Sequence, residues 1–144
     1  MSRHGTRLFV LLTLVALSPL AGCAPQATAL TAPAPGTLGN QQAADLVVRL
    51  FSTPTPPVRG LDVLEAVITD VKGQPVTDAR VSFDLDMTTM SHGKYVVKAA
   101  PQAGGRYAGQ VRFMMPGPWR VIAIIERPGH PIEQMRFDFN VNLR

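Results

Sequence analysis

Two methionines and a histidine stand close together near the middle of the chain, in the run Met87-Thr-Thr-Met90-Ser-His92-Gly93. Thioether sulfur is a soft ligand that suits Cu(I), and imidazole accepts copper in either oxidation state. The run follows a strand-like segment, and Gly93 with the extended pattern after it is typical of a loop between strands. The spacing therefore indicates either a surface copper site or two methionines that fill gaps at the edge of a sandwich.

The elements that would position this loop are short strands separated by turn residues. Val81, Phe83 and Leu85 share one face of a strand, whereas Trp119–Glu126 is apolar on both faces and is expected to be buried on both. No helical period is visible, so the pattern predicts an all-β, immunoglobulin-like antiparallel β-sandwich of about seven strands. The predicted strands cover residues 46–51, 61–69, 80–86, 94–98, 107–115, 119–126 and 135–141. The predicted core contains Phe83, Val111, Trp119, Val121 and Phe137.

The order of these strands predicts which loops meet. If each connection reverses the chain direction, the loops after the first, third and fifth predicted strands lie at one end of the sandwich. The Met87–His92 loop and the segment Met114–Trp119 then share that end, whereas His130 falls at the other end and is expected to be a turn residue. Met115 has the inward parity of Phe113, and Met114 has the outward parity of a surface residue. The predicted metal ligands are Met87, Met90 and His92, with Met115 as the additional ligand.

The N-terminus has the pattern of a bacterial lipoprotein signal. Arg3 and Arg7 precede a short apolar run that ends in Leu20-Ala-Gly-Cys23, which resembles a lipobox. The run is too short to span a bilayer well. Cys23 is the only cysteine of the chain and is the predicted lipidation site, so no intramolecular disulfide is expected. The predicted location is the cell envelope, with the protein held by its lipid on the periplasmic or extracellular side of a bacterial membrane.

Composition divides the chain into a signal peptide (residues 1–22), a disordered tether rich in Ala, Pro and Thr (23–44) and one domain (45–144). The formal net charge of the chain is +4, and the removal of Arg3 and Arg7 with the signal lowers it to +2. No clustered basic face remains, so nucleic acid is not an expected partner.

Three short motifs together resemble a known family. They are Met87-x-x-Met90-x-His92, Gly105-Arg-Tyr107 and Phe113-x-Met115-x-Gly117-x-Trp119, and over residues 45–141 they resemble the YtkA-like domain, which is related to the FixH family. The resemblance implies a small envelope β-sandwich linked to copper handling. FixH-type members have a transmembrane anchor and accompany the assembly of cytochrome oxidase. This chain has a lipobox instead of such an anchor, which favours the YtkA-like family over the FixH family.

Two functions of different classes follow from these observations. In the first, the domain binds Cu(I) in an open, solvent-facing site for copper delivery or homeostasis and passes it to a copper-receiving or efflux protein. In the second, it is a metal-free interaction module of an envelope or efflux assembly, since flexible methionine surfaces also serve adaptable binding. An enzyme is not expected, because no nucleophile stands beside a histidine and a carboxylate and no His-Glu-x-x-His spacing occurs.

Overall fold

The computed structural model describes residues 36–91, 93 and 95–143. The predicted signal peptide, Cys23, the first part of the tether and His92 lie outside the described residues. Within the described residues every regular element is a β-strand, and no helix there is long and apolar enough to cross a membrane. The strands are β1 (Thr37–Ala43), β2 (Leu46–Thr53), β3 (Gly60–Asp70), β4 (Arg80–Met87), β5 (Tyr95–Gln102), β6 (Arg106–Phe113), β7 (Gly117–Glu126) and β8 (Glu133–Val141).

The strands are hydrogen-bonded in the order β1-β2-β3-β6-β5-β4-β7-β8, and all neighbours are antiparallel. Buried and more exposed residues alternate along β2, β3, β4, β6 and β7, as expected of strands that cover a core with one face. The prediction that Trp119–Glu126 is buried on both faces is therefore wrong, because the outward residues of β7 are only partly covered. The predicted all-β sandwich is therefore confirmed, and the seven predicted strands correspond to β2 through β8.

β1 is an additional strand in the segment that the sequence predicted to be tether. It pairs with β2 through a tight turn at Ala44 and Asp45, and so gives the outer edge of β2 hydrogen-bond partners. It also packs against β8: a Cβ at Gly39 would stand 2.9 Å from the ring of Phe137, so only glycine fits there without a shift. β1 therefore belongs to the same sheet as the predicted domain.

The core lies between the two halves of this folded-over sheet. All five residues predicted for it are buried, and they belong to a larger cluster of aliphatic and aromatic side chains. Phe113 on β6 packs edge-on against Trp119 on β7, with ring centroids 5.1 Å apart, and against Phe139 on β8 at 5.9 Å. These contacts hold the two halves together at the end where β7 begins.

β5 passes from one half of the sandwich to the other. Its first residues pair with β4, from Tyr95 opposite Leu85 to Ala99 opposite Val81, and its last three pair with the start of β6. β5 and β6 are therefore paired only over residues 106–108 of β6. Beyond that point they separate, and the Tyr95 hydroxyl spans the gap by accepting a hydrogen bond from the Arg112 backbone N–H at 3.1 Å.

Tyr107 ties the β3–β4 connection to β6 at the other end. Its buried hydroxyl donates to the carbonyl of Val76 at 2.9 Å and accepts from the N–H of Ala79 at 3.2 Å. Gly105 makes the close approach possible, because its φ is +73° and a Cβ there would stand 2.5 Å from the carbonyl oxygen of Ile68. The Gly-Arg-Tyr motif therefore has a structural role, which is to hold the β3–β4 connection against β6.

Candidate metal centre

The two methionine-bearing segments lie at the same end of the sandwich, as the strand order predicted. The last residue of β4, Met87, stands opposite Trp119 near the start of β7. The loop that follows is tied to the same place, because the N–H of Thr88 donates to the carbonyl of Pro118 at 3.1 Å. β6 ends at Phe113, opposite Gly60 at the start of β3. The β2–β3, β4–β5 and β6–β7 connections therefore share this end, which we call the methionine end.

Met87 points into the core rather than toward solvent. It continues the inward alternation of β4, and its side chain is only 7% exposed. Its terminal methyl lies 3.3 Å from the position that a Cβ would take at Gly117, so the glycine leaves room for it. The expected solvent-facing position is therefore wrong for Met87, because strand parity places it inside. Its part as a ligand stays a prediction.

Met115 is half-buried and packs against the core, as its parity predicted. Its backbone is held in place, because the indole Nε1 of Trp119 donates to the carbonyl of Met115 at 2.9 Å. Trp119 itself is buried. The Met-x-Gly-x-Trp motif thus fixes the β6–β7 connection and packs the Met87 and Met115 side chains at its inner side.

Met90 and Met114 are the accessible thioethers of the methionine end, with 51% and 64% of their surfaces exposed. Each lies in a connection between strands rather than within a strand. The sequence predicted an outward Met114 but gave it no role. The sequence signal was its position between the inward-facing Phe113 and Met115, which places the Met114 sulfur on the accessible side.

A groove of about 510 Å³ opens at the methionine end where β5 and β6 separate. Its wall includes the inner-face residues Leu85, Tyr95, Val111 and Trp119, and its rim includes Asp86, Gly93, Gln110, Arg112 and Met114. The β4–β5 and β6–β7 connections thus border one cavity, through Gly93 and Met114. This groove could not be read from strand patterns, because it arises from the incomplete pairing of two neighbouring strands.

His92 lies outside the described residues, so its predicted role as a ligand stays a prediction. The residues on either side of it are described: the N–H of Gly93 donates to the Ser91 hydroxyl at 3.3 Å. His130 is placed as predicted, in the turn after β7 at the opposite end, where its N–H donates to the carbonyl of Arg127. Among the described residues, no group of three or more His, Cys, Asp or Glu side chains could hold a metal ion.

Asp62 is a buried carboxylate that was not predicted from the sequence. It is 2% exposed and stands opposite Val111 in the β3–β6 pair. Oδ1 accepts a hydrogen bond from the N–H of Val63 at 2.8 Å, whereas Oδ2 is buried without a partner in the described part of the chain. Burial raises the pKa of Asp62, and the hydrogen bond from the N–H of Val63 opposes this only in part. Its inward parity with Leu64 was the sequence signal that could have revealed it.

The outer face of β4, β7 and β8 carries charges of both signs. Arg120 and Arg136 both contact Asp138, at 3.2 and 2.7 Å. Slight burial acts to raise the pKa of Asp138, but these hydrogen bonds outweigh it and the pKa is lowered. Asp84 and Asp86 line a shallow cavity with Arg120 on this face. Such a surface of balanced charge offers no concentrated acidic site for a hard cation.

The chain is similar to known proteins in its family and in its fold. A family model described as YtkA-like matches residues 40–123, and no curated protein matches the chain. A DUF4426 family protein from Pseudomonas aeruginosa PAO1 is similar in structure with a TM-score of 0.53 at 19% identity, over 72% of this chain and 96% of that one. FetP from uropathogenic Escherichia coli strain F11 has a TM-score of 0.55 at 14% identity, over 72% and 93%. A copper-bound variant of FetP has a TM-score of 0.55 at 12% identity, over 73% and 95%. At these identities the similarity is one of fold.

Proposed function

The chain belongs to the YtkA-like family, and from this premise we propose that it is a non-catalytic envelope lipoprotein that binds Cu(I) and exchanges it with a partner protein. Copper is its cargo, and no reaction is involved. The observation that carries the proposal is the concentration of thioethers at the methionine end. Four of the chain's six methionines, namely Met87, Met90, Met114 and Met115, lie there on adjoining segments.

The donor chemistry suits copper better than other common metals. Thioether and imidazole are ligands that Cu(I) accepts, whereas Ca²⁺ and Mg²⁺ require several oxygen ligands. The proposed ligands include Met90 in the exposed loop and His92, both predicted from the sequence; the other two predicted residues, Met87 and Met115, pack on the core of the same end. A copper-bound variant of FetP, which has a similar fold, supports copper as the metal.

The accessibility of the methionine end supports exchange rather than storage. Met90 is half-exposed, and the groove bordered by Gly93 of the same connection is open to solvent. A partner's donor atoms can approach a metal held by such side chains. A metal enclosed in the core could be released only after local unfolding. The proposed partner is a copper-receiving or efflux protein of the envelope.

Competition with a Cu(I) chelator under reducing conditions tests the proposal. The protein in which Met87 and Met90 are both replaced by leucine should bind Cu(I) at least about tenfold more weakly than wild type, since even outer-shell partners of a metal contribute about 10–100-fold. Leucine keeps the volume of the buried Met87. His130→Ala is the matched control, because it removes an imidazole at the opposite end and should leave the affinity unchanged.

Equal affinity of wild type and the double variant would contradict the copper site and favour the second function, a metal-free interaction module. One observation supports that alternative: Met90, Met114, Leu61 and Tyr95 expose apolar surface at the methionine end. Such surfaces commonly mark sites of protein interaction. Under this alternative, leucine at positions 87 and 90 would leave partner binding largely intact, because the surface stays apolar.

The anchor is proposed separately, from the lipobox that ends at Cys23. Cys23→Ser should move the protein from the membrane fraction to the soluble fraction while its domain still folds. Metabolic labelling with a radioactive fatty acid provides the direct readout, and label should appear on the wild type alone. Persistence of the Cys23→Ser protein in the membrane fraction would contradict lipid anchoring at this residue.

A further inference from the structure

Met114 is the most exposed methionine among the described residues, at 64%, and stands where the β6–β7 connection begins. Phe113 before it is fully buried, and Met115 after it packs on the core with its carbonyl held by Trp119. The backbone therefore has a fixed alternation here, in which Met114 faces out while its neighbours face in. A rotation that exchanged Met114 and Met115 would break the Trp119 hydrogen bond.

Met114 also borders the groove between β5 and β6, together with Gly93 of the β4–β5 connection. That connection carries Met90, the other accessible thioether. Both connections are attached to the same end of the sheet by the Met87–Trp119 pair and by the hydrogen bond from Thr88 to Pro118. The two exposed sulfurs thus belong to connections that face one cavity, whereas the Met87 and Met115 side chains pack on the core.

We propose that Met114, rather than Met115, is the second accessible thioether ligand, and that the Cu(I) site lies at the mouth of the groove between β5 and β6. This inference rests on the proposed function. A ligand that exchanges its metal with a partner must be reachable by that partner, and Met115 meets this condition poorly because it packs on the core. Met115 instead positions its neighbour: its tethered backbone holds Met114 at the rim.

Leucine substitutions separate the two methionines, since leucine removes the sulfur and costs less than about 1.5 kcal/mol of stability. In chelator competition, Met114→Leu should weaken Cu(I) binding by on the order of tenfold or more, whereas Met115→Leu should stay close to wild type. Met135→Leu is the control, because Met135 is buried on β8 opposite Ala123. The inference would be overturned if Met115→Leu weakened Cu(I) binding and Met114→Leu kept the wild-type affinity.

Methyl NMR provides a readout that does not depend on affinity. The intact chain, labelled with ¹³C at the methionine methyl groups, is titrated with Cu(I), which is diamagnetic. The Met90 and Met114 signals should shift most, and the Met135 signal should stay in place. Shifts of Met90 and Met115 with Met114 unmoved would overturn this inference and leave the proposed function intact. No shift of any methionine signal would overturn the proposed function itself.

Discussion

At the scale of single residues, the motifs that carry the family resemblance have structural roles. Gly117 leaves room for the Met87 methyl, and Trp119 holds the Met115 carbonyl. At the other end, Gly105 allows a close backbone approach, because a Cβ there would collide with the backbone, and the Tyr107 hydroxyl holds the carbonyl of Val76. These residues therefore explain why the fold can be recognised in the sequence, and the exposed methionines carry the proposed chemistry.

Asp62 is expected to make the stability of the protein depend on pH. Because burial raises its pKa in the folded state, the native protein holds the proton more tightly than the unfolded chain does. The contribution of the protonated Asp62 side chain to the free energy of unfolding is thus largest below the unfolded pKa of about 3.9. It is lost as pH rises through the folded pKa. In Asp62→Asn this loss should disappear.

Urea unfolding between acid and neutral pH measures the effect as the difference between wild type and Asp62→Asn. The free energy of unfolding of wild type should fall relative to the variant as pH rises. A difference between wild type and Asp62→Asn that is constant with pH would contradict the raised pKa.

Trp119 should be the costliest single truncation at the methionine end. It is 3% exposed and packs edge-on against Phe113, so Trp119→Ala should lower the free energy of unfolding by roughly 3–5 kcal/mol through lost burial and a residual cavity. Trp119→Phe, which keeps an aromatic ring but removes the indole donor to Met115, should cost less. Chemical denaturation monitors both, and a cost below about 1 kcal/mol for Trp119→Ala would be incompatible with its burial.

At the scale of elements, short apolar or alternating runs between turn residues were enough to predict β2 through β8, although β7 was expected to be buried on both faces and is fully buried on one. These patterns failed for β1, Thr37-Leu-Gly-Asn-Gln-Gln-Ala43, because this strand has few apolar residues and is held by pairing with β2 and by the approach of Gly39 to Phe137. The separation of β5 from β6 was also beyond prediction, because it depends on which residues pair across strands rather than on either strand's own pattern.

Tyr107 offers a test of how the β3–β4 connection is held. Tyr107→Phe removes one hydroxyl that bonds both Val76 and Ala79. The N–H of Ala79 loses its acceptor at a buried position, so we expect a loss of about 1–3 kcal/mol in the free energy of unfolding. Tyr95→Phe is the matched control: its hydroxyl bonds the exposed N–H of Arg112, which water can satisfy, so the cost should be smaller. Equal costs would show that the Tyr107 hydroxyl has no special role.

At the scale of the whole molecule, strand order predicted that the methionine-bearing segments meet and that His130 lies away from them. It could not predict how the side chains divide between core and solvent at that end. Met87 was assigned to an open site although its parity with Leu85 places it inside. Met114 received no role, because a groove is formed by several strands together and has no signature in any one of them.

The opposite end is closed by an ion-pair cluster that the sequence did not reveal. Arg127, whose side chain is 8% exposed, donates to both carboxylate oxygens of Asp45, at 2.9 and 2.7 Å, and to Glu133 at 2.8 Å. The hydrogen bond to Asp45 raises the pKa of Arg127 further above its usual range, and it lowers the pKa of Asp45. The cluster joins the start of β2 to the connection between β7 and β8.

Arg127→Met should therefore reduce stability without affecting the proposed copper site. It leaves the carboxylate of Glu133 largely buried without its cation, and the cost should lie toward the lower end of the roughly 3–5 kcal/mol that breaking a buried pair produces, because Asp45 is half-exposed. β7 is 10 residues long, roughly 30 Å at about 3.3 Å per residue, so the cluster is remote from Met90 and Met114. Urea unfolding should show the loss, and chelator competition under native conditions should give the wild-type affinity for Cu(I). A weakened affinity in fully folded Arg127→Met would mean that the two ends are coupled through the sheet, and would contradict a site built from the methionine end alone.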